Sequence, residues 1–473
     1  MDTAPLAPLT CEEHGQSTRI TCVDCSKPVC PKCLVRTAVG IKCDSCAKPA
    51  EVPKVIRSRR RSPLPWLLGG GGMVVVVVVV LLLVLMGGSP SVPLKSSPAL
   101  GTWRSVASVP GIRGTTSVVT LADGHVLAAG GGVNALPIAS AAIYDPRTAT
   151  WAPTGSLNQA RRGAGAVALK DGKVLVAGGI AGSKLLSSAE LYNPSTGKWK
   201  VTGSMGIPRL GATLTLLRDG NVLTTGGTTD VGIHGTGGGQ AITPTASAEL
   251  YNPSTGKWSS TGSMMSSRFD ATATALNDGR VLVAGGFGGP GTPAQGGGLQ
   301  FGALRSAELY DPNVSVFTST GPMTDGRAGQ VAALLGNGDV LVAGGFNADG
   351  TTALATAELF DPSNGTWALT GGMSQAREGA AATTLAGGDV LVVGGEDVSQ
   401  GTEASLQSAE LFQPSSKSWR SAGKMACPRS GLGLANLADG GVIAVAGDDA
   451  FPGQAPMAQS CVDLYRPASP PTR

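Results

Sequence analysis

From about residue 100 onwards, the chain consists of short apolar runs separated by turn-forming residues. Runs such as AVAL, KVLVAGG, SAELYNP and KWKVTGS follow one another in sets of four, and Gly, Asn, Asp and Pro divide them. Apolar runs of this length between turn residues are typical of short β-strands. The pattern therefore predicts units of four strands each.

The four-strand unit recurs seven times with fixed internal distances. In each repeat an aromatic residue stands ten positions before an arginine, and that arginine stands seventeen positions before a doublet of small residues. The aromatics are Trp103, Trp151, Trp199, Trp258, Phe317, Trp367 and Trp419; the arginines are Arg113, Arg161, Arg209, Arg268, Arg327, Arg377 and Arg429; the doublets open at Gly130, Gly178, Gly226, Gly285, Gly344, Gly394 and Ala446. A fixed period of about 50 residues indicates a repeat array rather than a single-core domain.

The two ends of the array do not match the repeats between them. Each third strand ends in an aromatic residue, and six of these lie seven positions before the next Trp or Phe. The seventh, Tyr465, is followed at that distance by Thr472, whereas Trp103 precedes the first arginine with no third strand before it. A closed ring, in which an N-terminal strand completes the last unit, explains both observations and removes a sheet edge.

The glycine doublets followed by Tyr-[Asp/Asn]-Pro-x4-Trp resemble kelch repeats, a family that builds β-propellers. The resemblance spans about three quarters of the chain. It implies an all-β fold, with a seven-bladed kelch-type propeller at residues 100–467 and a short tail at 468–473. The motif aromatics are expected to pack between blades, and we expect the propeller to bind a ligand or another protein.

Variation in repeat length falls in the loop between the second and third strands. From doublet to third-strand aromatic the distances are 14, 14, 25, 25, 16, 18 and 19, so the third and fourth repeats carry long loops, at 228–246 and 287–305. These loops should share a face with the repeated arginines, whose ordinary role would be architectural, in bonds to carbonyls of the neighbouring blade. The alternative is a binding site for an acidic peptide or an anionic glycan. Its predicted residues are Arg268, Arg327, His234, Phe287 and Phe301.

Residues 66–86, WLLGGGGMVVVVVVVLLLVLM, carry no charged side chain. About 20 apolar residues in a helix cross a bilayer core, so this segment is predicted to be a transmembrane helix. The preceding linker, 47–65, is basic, whereas the tether that follows, 87–99, holds only Lys95. The positive-inside rule then predicts a single-pass protein of the plasma (inner) membrane, with a cytoplasmic N-terminus and an outer propeller. A cleavable signal peptide is the alternative, but 65 residues precede the apolar run.

After an N-terminal tail at 1–10, residues 11–46 contain four pairs of candidate metal ligands, each with a gap of two residues. Eight ligands suffice for two tetrahedral zinc ions, and the intervening gaps allow alternate pairs to interleave. The first predicted set is Cys11, His14, Cys30 and Cys33, and the second is Cys22, Cys25, Cys43 and Cys46. The spacing resembles the B-box-type zinc finger. Both zinc sites would be closed and structural, and the module would engage a cytoplasmic protein.

The outer region holds two further cysteines, Cys427 and Cys461, which lie near the same face of the last repeat and are candidates for a disulfide. Their spacing alone does not establish that the two can reach each other.

A catalytic interpretation finds little support in the sequence. A copper radical oxidase of the galactose oxidase type, which acts on carbohydrates, uses a similar propeller but needs two histidines, two tyrosines and a cysteine at one site. Here the outer region has only His125 and His234, and every tyrosine is already in the repeat motif. The net charge of +4 is too small to indicate nucleic-acid binding. The sequence thus predicts a non-enzymatic binding protein of the membrane, with a static adhesion or envelope scaffold as the alternative.

Overall fold

The computed structural model describes residues 9–10, 17–18, 34–37, 40–43, 101–112, 114–133, 136–230, 242–293, 299–398, 404–449 and 457–468. The chain divides into two compact units, Met1–Leu94 and Lys95–Arg473. In the first unit, Leu9–Thr10 pairs with Ser17–Thr18, and Leu34–Thr37 pairs with Gly40–Cys43.

Most of the predicted N-terminal features lie outside these ranges. The span at 66–86 and seven of the eight zinc ligands are not among the described residues, and Cys43 is described only as the end of a strand. Within the described part of the chain, no helix has the length and apolar character needed to cross a bilayer.

The described residues of the second unit form seven four-stranded antiparallel sheets, which we number 1 to 7 along the chain. We count the strands of each sheet from the inside outwards. Sheet 1 holds Ser117–Thr120, Val126–Ala129, Ala141–Asp145 and Thr150–Pro153; sheet 2 holds Gly165–Ala168, Val174–Ala177, Ala189–Asn193 and Lys198–Thr202; sheet 3 holds Thr213–Leu216, Val222–Thr225, Ala248–Asn252 and Lys257–Ser260. Sheet 4 holds Thr272–Ala275, Val281–Ala284, Ala307–Asp311 and Val316–Ser319; sheet 5 holds Val331–Leu334, Val340–Ala343, Ala357–Asp361 and Thr366–Leu369. Sheet 6 holds Ala381–Thr384, Val390–Val393, Ser408–Gln413 and Ser418–Lys424; sheet 7 holds Gly433–Asn436, Val442–Val445, Val462–Arg466 and Thr102–Val106.

The first strands of the seven sheets contact one another in sequence, and the first strand of sheet 7 contacts that of sheet 1, so the ring is closed. The closing strand, Thr102–Val106, comes from the N-terminal side of the unit and pairs with Val462–Arg466, with Trp103 opposite Tyr465. This is the pairing that the unmatched ends of the repeat array predict. All regular structure in the described residues is β, so the all-β prediction is confirmed there.

The core is divided among the interfaces between neighbouring sheets. In each of the seven sheets, the second strand is buried along its whole length. Its sequence is continuously apolar, such as VLVA in sheet 2, because it meets a neighbouring sheet on each face. Val174 and Val176 of sheet 2, for example, pack in one cluster with Leu127 and Ala129 of sheet 1.

The motif aromatics also join each sheet to the one before it. In sheet 2, the rings of Tyr192 and Trp199 lie 5.1 Å apart. Trp199 Nε1 donates to the carbonyl of Gly155 in sheet 1 at 2.7 Å, and Tyr192 Oη lies 2.8 Å from Thr154 Oγ1 of the same sheet. The expected packing of these aromatics between sheets is therefore accompanied by hydrogen bonds across the interface.

Short hairpins extend the loops between second and third strands in five sheets. They pair Gly132–Val133 with Leu136–Pro137, Ile180–Ala181 with Lys184–Leu185, Phe287–Pro293 with Leu299–Ala303, Glu396–Asp397 with Ala404–Ser405, and Asp448–Asp449 with Met457–Ala458. The hairpin that extends sheet 4 is joined by one more short strand, Arg268–Phe269, which pairs with Phe287–Pro293. These three strands form a small sheet that is separate from sheet 4. The predicted long loop of the fourth repeat is thus built largely as β-structure.

Candidate functional site

Six of the seven repeated arginines are described, and all six side chains are buried. Arg268 is representative: Nη1 donates to the carbonyls of Gly285 at 2.7 Å and Ser306 at 3.0 Å, and Nη2 lies 2.7 Å from Glu308 Oε1. These partners lie at the ends of the second and third strands of sheet 4. The same ion pair recurs as Arg161–Glu190, Arg209–Glu249, Arg327–Glu358, Arg377–Glu410 and Arg429–Asp463.

The arginines therefore bond to their own sheet, whereas the sequence suggested carbonyls of the neighbouring blade. The neighbour is reached through the main chain instead, since Gly227 N in sheet 3 donates to the carbonyl of Arg268 at 2.9 Å. Burial lowers the pKa of the Arg268 guanidinium, and the adjacent Glu308 carboxylate opposes that shift.

This geometry changes the picture of the predicted ligand site. Arg268 and Arg327 have no exposed surface, so neither guanidinium is available to an acidic peptide or glycan. Phe287 and Phe301 lie half-buried in the two strands of the sheet 4 hairpin. His234 lies outside the described residues.

On the face that carries the loops between second and third strands, the accessible residues are those that come directly after the buried arginines and the doublets in the sequence. In sheets 2 to 7, the residue after the arginine is paired in an antiparallel bridge with the first residue after the doublet, and we call this set of pairs the rim. The pairs are Arg162 and Ile180, Leu210 and Thr228, Phe269 and Phe287, Ala328 and Phe346, Glu378 and Glu396, and Ser430 and Asp448, in sheets 2 to 7. The arginine–carboxylate pair below the rim recurs in these six sheets, while the rim residues change from one sheet to the next.

On sheets 4 and 5 the rim is aromatic. The ring centroids of Phe269 and Phe287 are 5.3 Å apart, and those of Phe287 and Phe346 are 5.7 Å apart. All three side chains are half-buried. Met265, in the connection that leads into sheet 4, is 65% exposed. We call Phe269, Phe287 and Phe346 the aromatic cluster.

Asp270 lies beside this cluster in an unusual backbone conformation, with φ of 52°. The equivalent residues in sheets 2, 3, 5, 6 and 7 are glycines with φ between 57° and 65°, because side chains are disfavoured in this left-handed region. The Asp270 carboxylate lies over sheet 3, where Oδ1 would be 2.5 Å from a Cβ atom on Gly211. No ion pair or side-chain hydrogen bond reaches this carboxylate from the described residues.

The Asp270 side chain is open to solvent, but the surrounding protein displaces enough water to raise its pKa to about 6. Asp270 is not among the site residues that the sequence predicts. Its signal is the interruption of a glycine that stands two positions after the arginine in five other repeats.

On sheets 6 and 7 the rim is acidic. Glu378 and Glu396 face each other across their bridge and exchange two backbone hydrogen bonds, of 3.0 and 2.8 Å. Ser430 Oγ donates to Glu396, and Thr115 Oγ1 donates to Asp448 Oδ2 at 3.0 Å. The rim thus carries Arg162 on sheet 2, aromatic rings on sheets 4 and 5, and carboxylates on sheets 6 and 7.

Sheet 7 carries a disulfide between Cys427 and Cys461, whose Cα atoms are 6.5 Å apart. Cys461 takes the place of the serine or threonine that accepts a hydrogen bond from the arginine in sheets 2 to 6. Arg429 keeps a bond to the Cys461 carbonyl, and its Nη2 lies 2.6 Å from Asp463 Oδ2. Burial lowers the Arg429 pKa to about 10, although Asp463 opposes the shift.

A groove of about 750 Å³ lies elsewhere, along the outer strands of sheets 2 and 3, and Lys173, Lys198 and Lys200 are among its lining residues. Grooves of about 490 and 440 Å³ lie between sheets 4 and 5 and between sheets 6 and 7. Because such grooves recur between repeats, we interpret them as a consequence of the architecture, and the rim is the more specific feature.

Two segments of the chain, residues 160–206 and 327–374, match the Kelch motif family. No protein of curated function matches the sequence. Among solved structures, the fold resembles that of a fungal alcohol oxidase of the AA5 family, determined in complex with copper, with a TM-score of 0.60 and 16% identity over 78% of this chain and 77% of that one. The motif and the fold together support a kelch β-propeller.

The donors for a copper site of that kind do not come together in the part of the chain that the structure describes. No group of three or more His, Cys, Asp or Glu side chains is arranged there to hold a metal. His125 lies 3.1 Å from Asp123 in the turn between the first two strands of sheet 1, at the end opposite to the rim. The five tyrosines are buried in third strands of separate sheets. The described residues therefore do not fit copper-radical chemistry.

Proposed function

We propose that the outer unit is a seven-bladed kelch-type propeller that binds another protein at the rim, rather than an enzyme. The observation that carries this proposal is the aromatic cluster, which lies on a constant frame and is shared by two sheets. Half-exposed rings on a rigid scaffold are common anchors for protein partners, because they offer contact area at a small entropic cost.

The partner class follows from the arginines. Because Arg268 and Arg327 are neutralised by Glu308 and Glu358 inside their sheets, the two guanidinium groups predicted to hold an anionic glycan are not available to it. We therefore favour a protein over the glycan as the outer ligand. The long loops of sheets 3 and 4 would border the site, because they leave the sheets on the same face.

For the whole chain, we propose a single-pass membrane protein in which residues 66–86 span the membrane and the propeller lies outside. Residues 11–46 would form a B-box-like module with two structural zinc ions, which engages a cytoplasmic protein. This part rests on the ligand spacing and on the apolar and basic segments of the sequence.

The test is a pull-down from membrane extract of the source cells with the full-length protein. It is run beside a variant in which the loops at 228–246 and 287–305 are shortened to the 14-residue doublet-to-aromatic distance of sheet 2. A protein retained by the wild type and lost from the folded variant would support a binding site at the rim. Equal retention by both, or by neither, would favour the static adhesion or scaffold alternative.

A further inference from the structure

The geometry of sheets 4 and 5 points to a more specific ligand: we infer that the aromatic cluster and Asp270 recognise a positively charged, apolar segment of the partner protein. Apolar side chains of that segment would pack on Phe287 and its two neighbours, and a lysine or arginine would pair with Asp270. This inference rests on the proposed protein-binding function and names the chemistry of its ligand.

The aromatic cluster is not part of the hydrophobic core. None of its three rings belongs to the seven core clusters that hold neighbouring sheets together. Phe287 packs so closely over the loop of sheet 5 that a Cβ atom on Gly350 would lie 2.9 Å from its Cε1. The cluster is thus fixed in place while part of its surface remains open, as expected of a preformed anchor site.

Asp270 supplies the charge, and its conformation indicates a role beyond folding. An aspartate at φ of 52° is less favourable than glycine, which occupies the equivalent position in five other sheets. Residues held in such conformations cluster at ligand sites, where the strain is retained for function. The carboxylate has no charged partner among the described residues, so a basic side chain would satisfy it. The flanking rings would add cation–π attraction.

The neighbouring part of the rim has the same sign. Glu378 and Glu396 are paired directly across an antiparallel bridge, which places two carboxylates side by side on sheet 6. Asp448 follows on sheet 7, while Arg162 lies on sheet 2, away from this quarter of the ring. Charge complementarity with these carboxylates therefore favours a basic partner, since the repeated arginines of sheets 4 and 5, Arg268 and Arg327, are buried and paired.

The experiment measures binding of two fluorescein-labelled peptides by fluorescence anisotropy, with the full-length protein in phosphatidylcholine nanodiscs. In one peptide leucine alternates with arginine, and in the other leucine alternates with glutamate. We expect the arginine peptide to bind at least about ten-fold more tightly, because only it can form charge-assisted bonds to the carboxylates. Empty nanodiscs measure binding of either peptide to lipid.

Two variants locate the site. Asp270→Asn keeps the shape and tolerates a positive φ, and it should weaken binding of the arginine peptide by about five-fold or more. Phe287→Ala should weaken it by about ten-fold. Asp219→Asn is the matched control: this exposed aspartate lies in the turn between the first two strands of sheet 3, opposite to the rim, and its loss should leave the affinity unchanged.

The outcomes separate this inference from the proposed function. If the glutamate peptide binds as tightly, if Asp270→Asn has no effect while its melting curve matches the wild type, or if neither peptide binds, the inference is overturned. A membrane protein that is still retained in the pull-down would then keep the binding function and assign it another ligand class.

Discussion

Arg327 and Glu358 form an ion pair that is wholly enclosed by sheet 5: Nη2 lies 3.1 Å from Oε1, and both side chains are 0% exposed. Glu358 also accepts hydrogen bonds from the backbone N–H groups of Thr324 at 2.7 Å and Asp325 at 3.2 Å. The pair therefore ties the third strand to the connection that enters the sheet. Its recurrence in six sheets makes it a structural unit of the repeat.

We predict that Glu308→Ala, which removes the equivalent carboxylate from sheet 4, destabilises the outer fragment, residues 98–473, by about 3–5 kcal/mol, because it leaves the buried Arg268 guanidinium without its counter-charge. Sheet 5 is less suitable, since Asp325 also lies 3.3 Å from Arg327 Nη2 and would remain. The measurement is urea unfolding followed by tryptophan fluorescence. The matched control is Arg147→Ala, which breaks an exposed ion pair with Asp145 and should leave the midpoint unchanged. Equal midpoints for Glu308→Ala and the wild type would contradict a structural role for the buried pairs.

The tyrosine hydroxyls provide a second prediction, because the same group is satisfied at some interfaces and orphaned at others. Tyr192 Oη lies 2.8 Å from Thr154 Oγ1, whereas the buried hydroxyls of Tyr144 and Tyr465 have no partner among the described residues. Thr154 stands three positions after the motif Trp of its repeat. The residue at the same repeat position is Val106 beside Tyr144 and Ala422 beside Tyr465. Both orphans therefore lie at the interfaces that sheet 7 makes with its neighbours.

We expect Tyr192→Phe to cost about 1 kcal/mol, while Tyr144→Phe is neutral or slightly stabilising because it removes an unsatisfied polar group. Val106→Thr, which is nearly isosteric, should stabilise the fragment in the Tyr144 background and have no such benefit in Tyr144→Phe. Thermal unfolding of the four proteins tests this cycle. Equal losses for the two tyrosine substitutions would show that the difference in hydrogen bonding has no energetic consequence.

The fold was predictable largely because the spacing of the repeats is so regular. The unmatched Trp103 and Tyr465 indicated the closing strand, which the structure pairs directly. The partner of each arginine was not identified, although the sequence carried a signal: an acidic residue stands two positions before the third-strand aromatic in six repeats, and Ala142 replaces it in the first. A buried arginine requires a counter-charge, so repeated residues of opposite sign are expected to meet.

The candidate site was harder to predict because it depends on departures from the repeat. Phe287 was identified from its long loop, but the contacts that join it to Phe269 and Phe346 arise from pairing across strands that the spacing does not specify. Asp270 shows the same difficulty, since the sequence shows that it replaces a repeated glycine but not that it keeps the positive φ of that glycine.

The disulfide of sheet 7 gives a third prediction. Cys427 and Cys461 are separated by 34 positions in the sequence, and a crosslink that closes a loop of that size stabilises by about 2–4 kcal/mol. The double variant Cys427→Ala/Cys461→Ala should therefore unfold at lower urea concentration than the oxidised wild-type fragment, and adding reductant should bring the wild type to the midpoint of the variant. Because the fragment contains no other cysteine, reductant has no second target. A midpoint that does not respond to reductant would argue against the crosslink.

Asp270 gives the last prediction, on the pH dependence of stability. Desolvation raises the folded-state pKa of this carboxyl from 3.8 to about 6, so the folded protein binds its proton more tightly than the unfolded chain does. The stability that this group contributes is therefore fully present below about pH 4 and declines as pH rises to about 6. Asp270→Gly should remove this decline and also relieve the positive φ, a gain of about 1 kcal/mol at all pH values.

The measurement is urea unfolding of the wild-type and Asp270→Gly fragments at several pH values from 4 to 8, which bracket the shift. The advantage of the variant should grow between pH 4 and 7 and remain constant above, because the carboxyl is then ionised in both states. Asp219→Gly, on the exposed turn of sheet 3, is the control for general charge effects. An advantage that is constant over the whole range would mean that the backbone strain alone is relieved, and that the carboxylate is not desolvated at the rim.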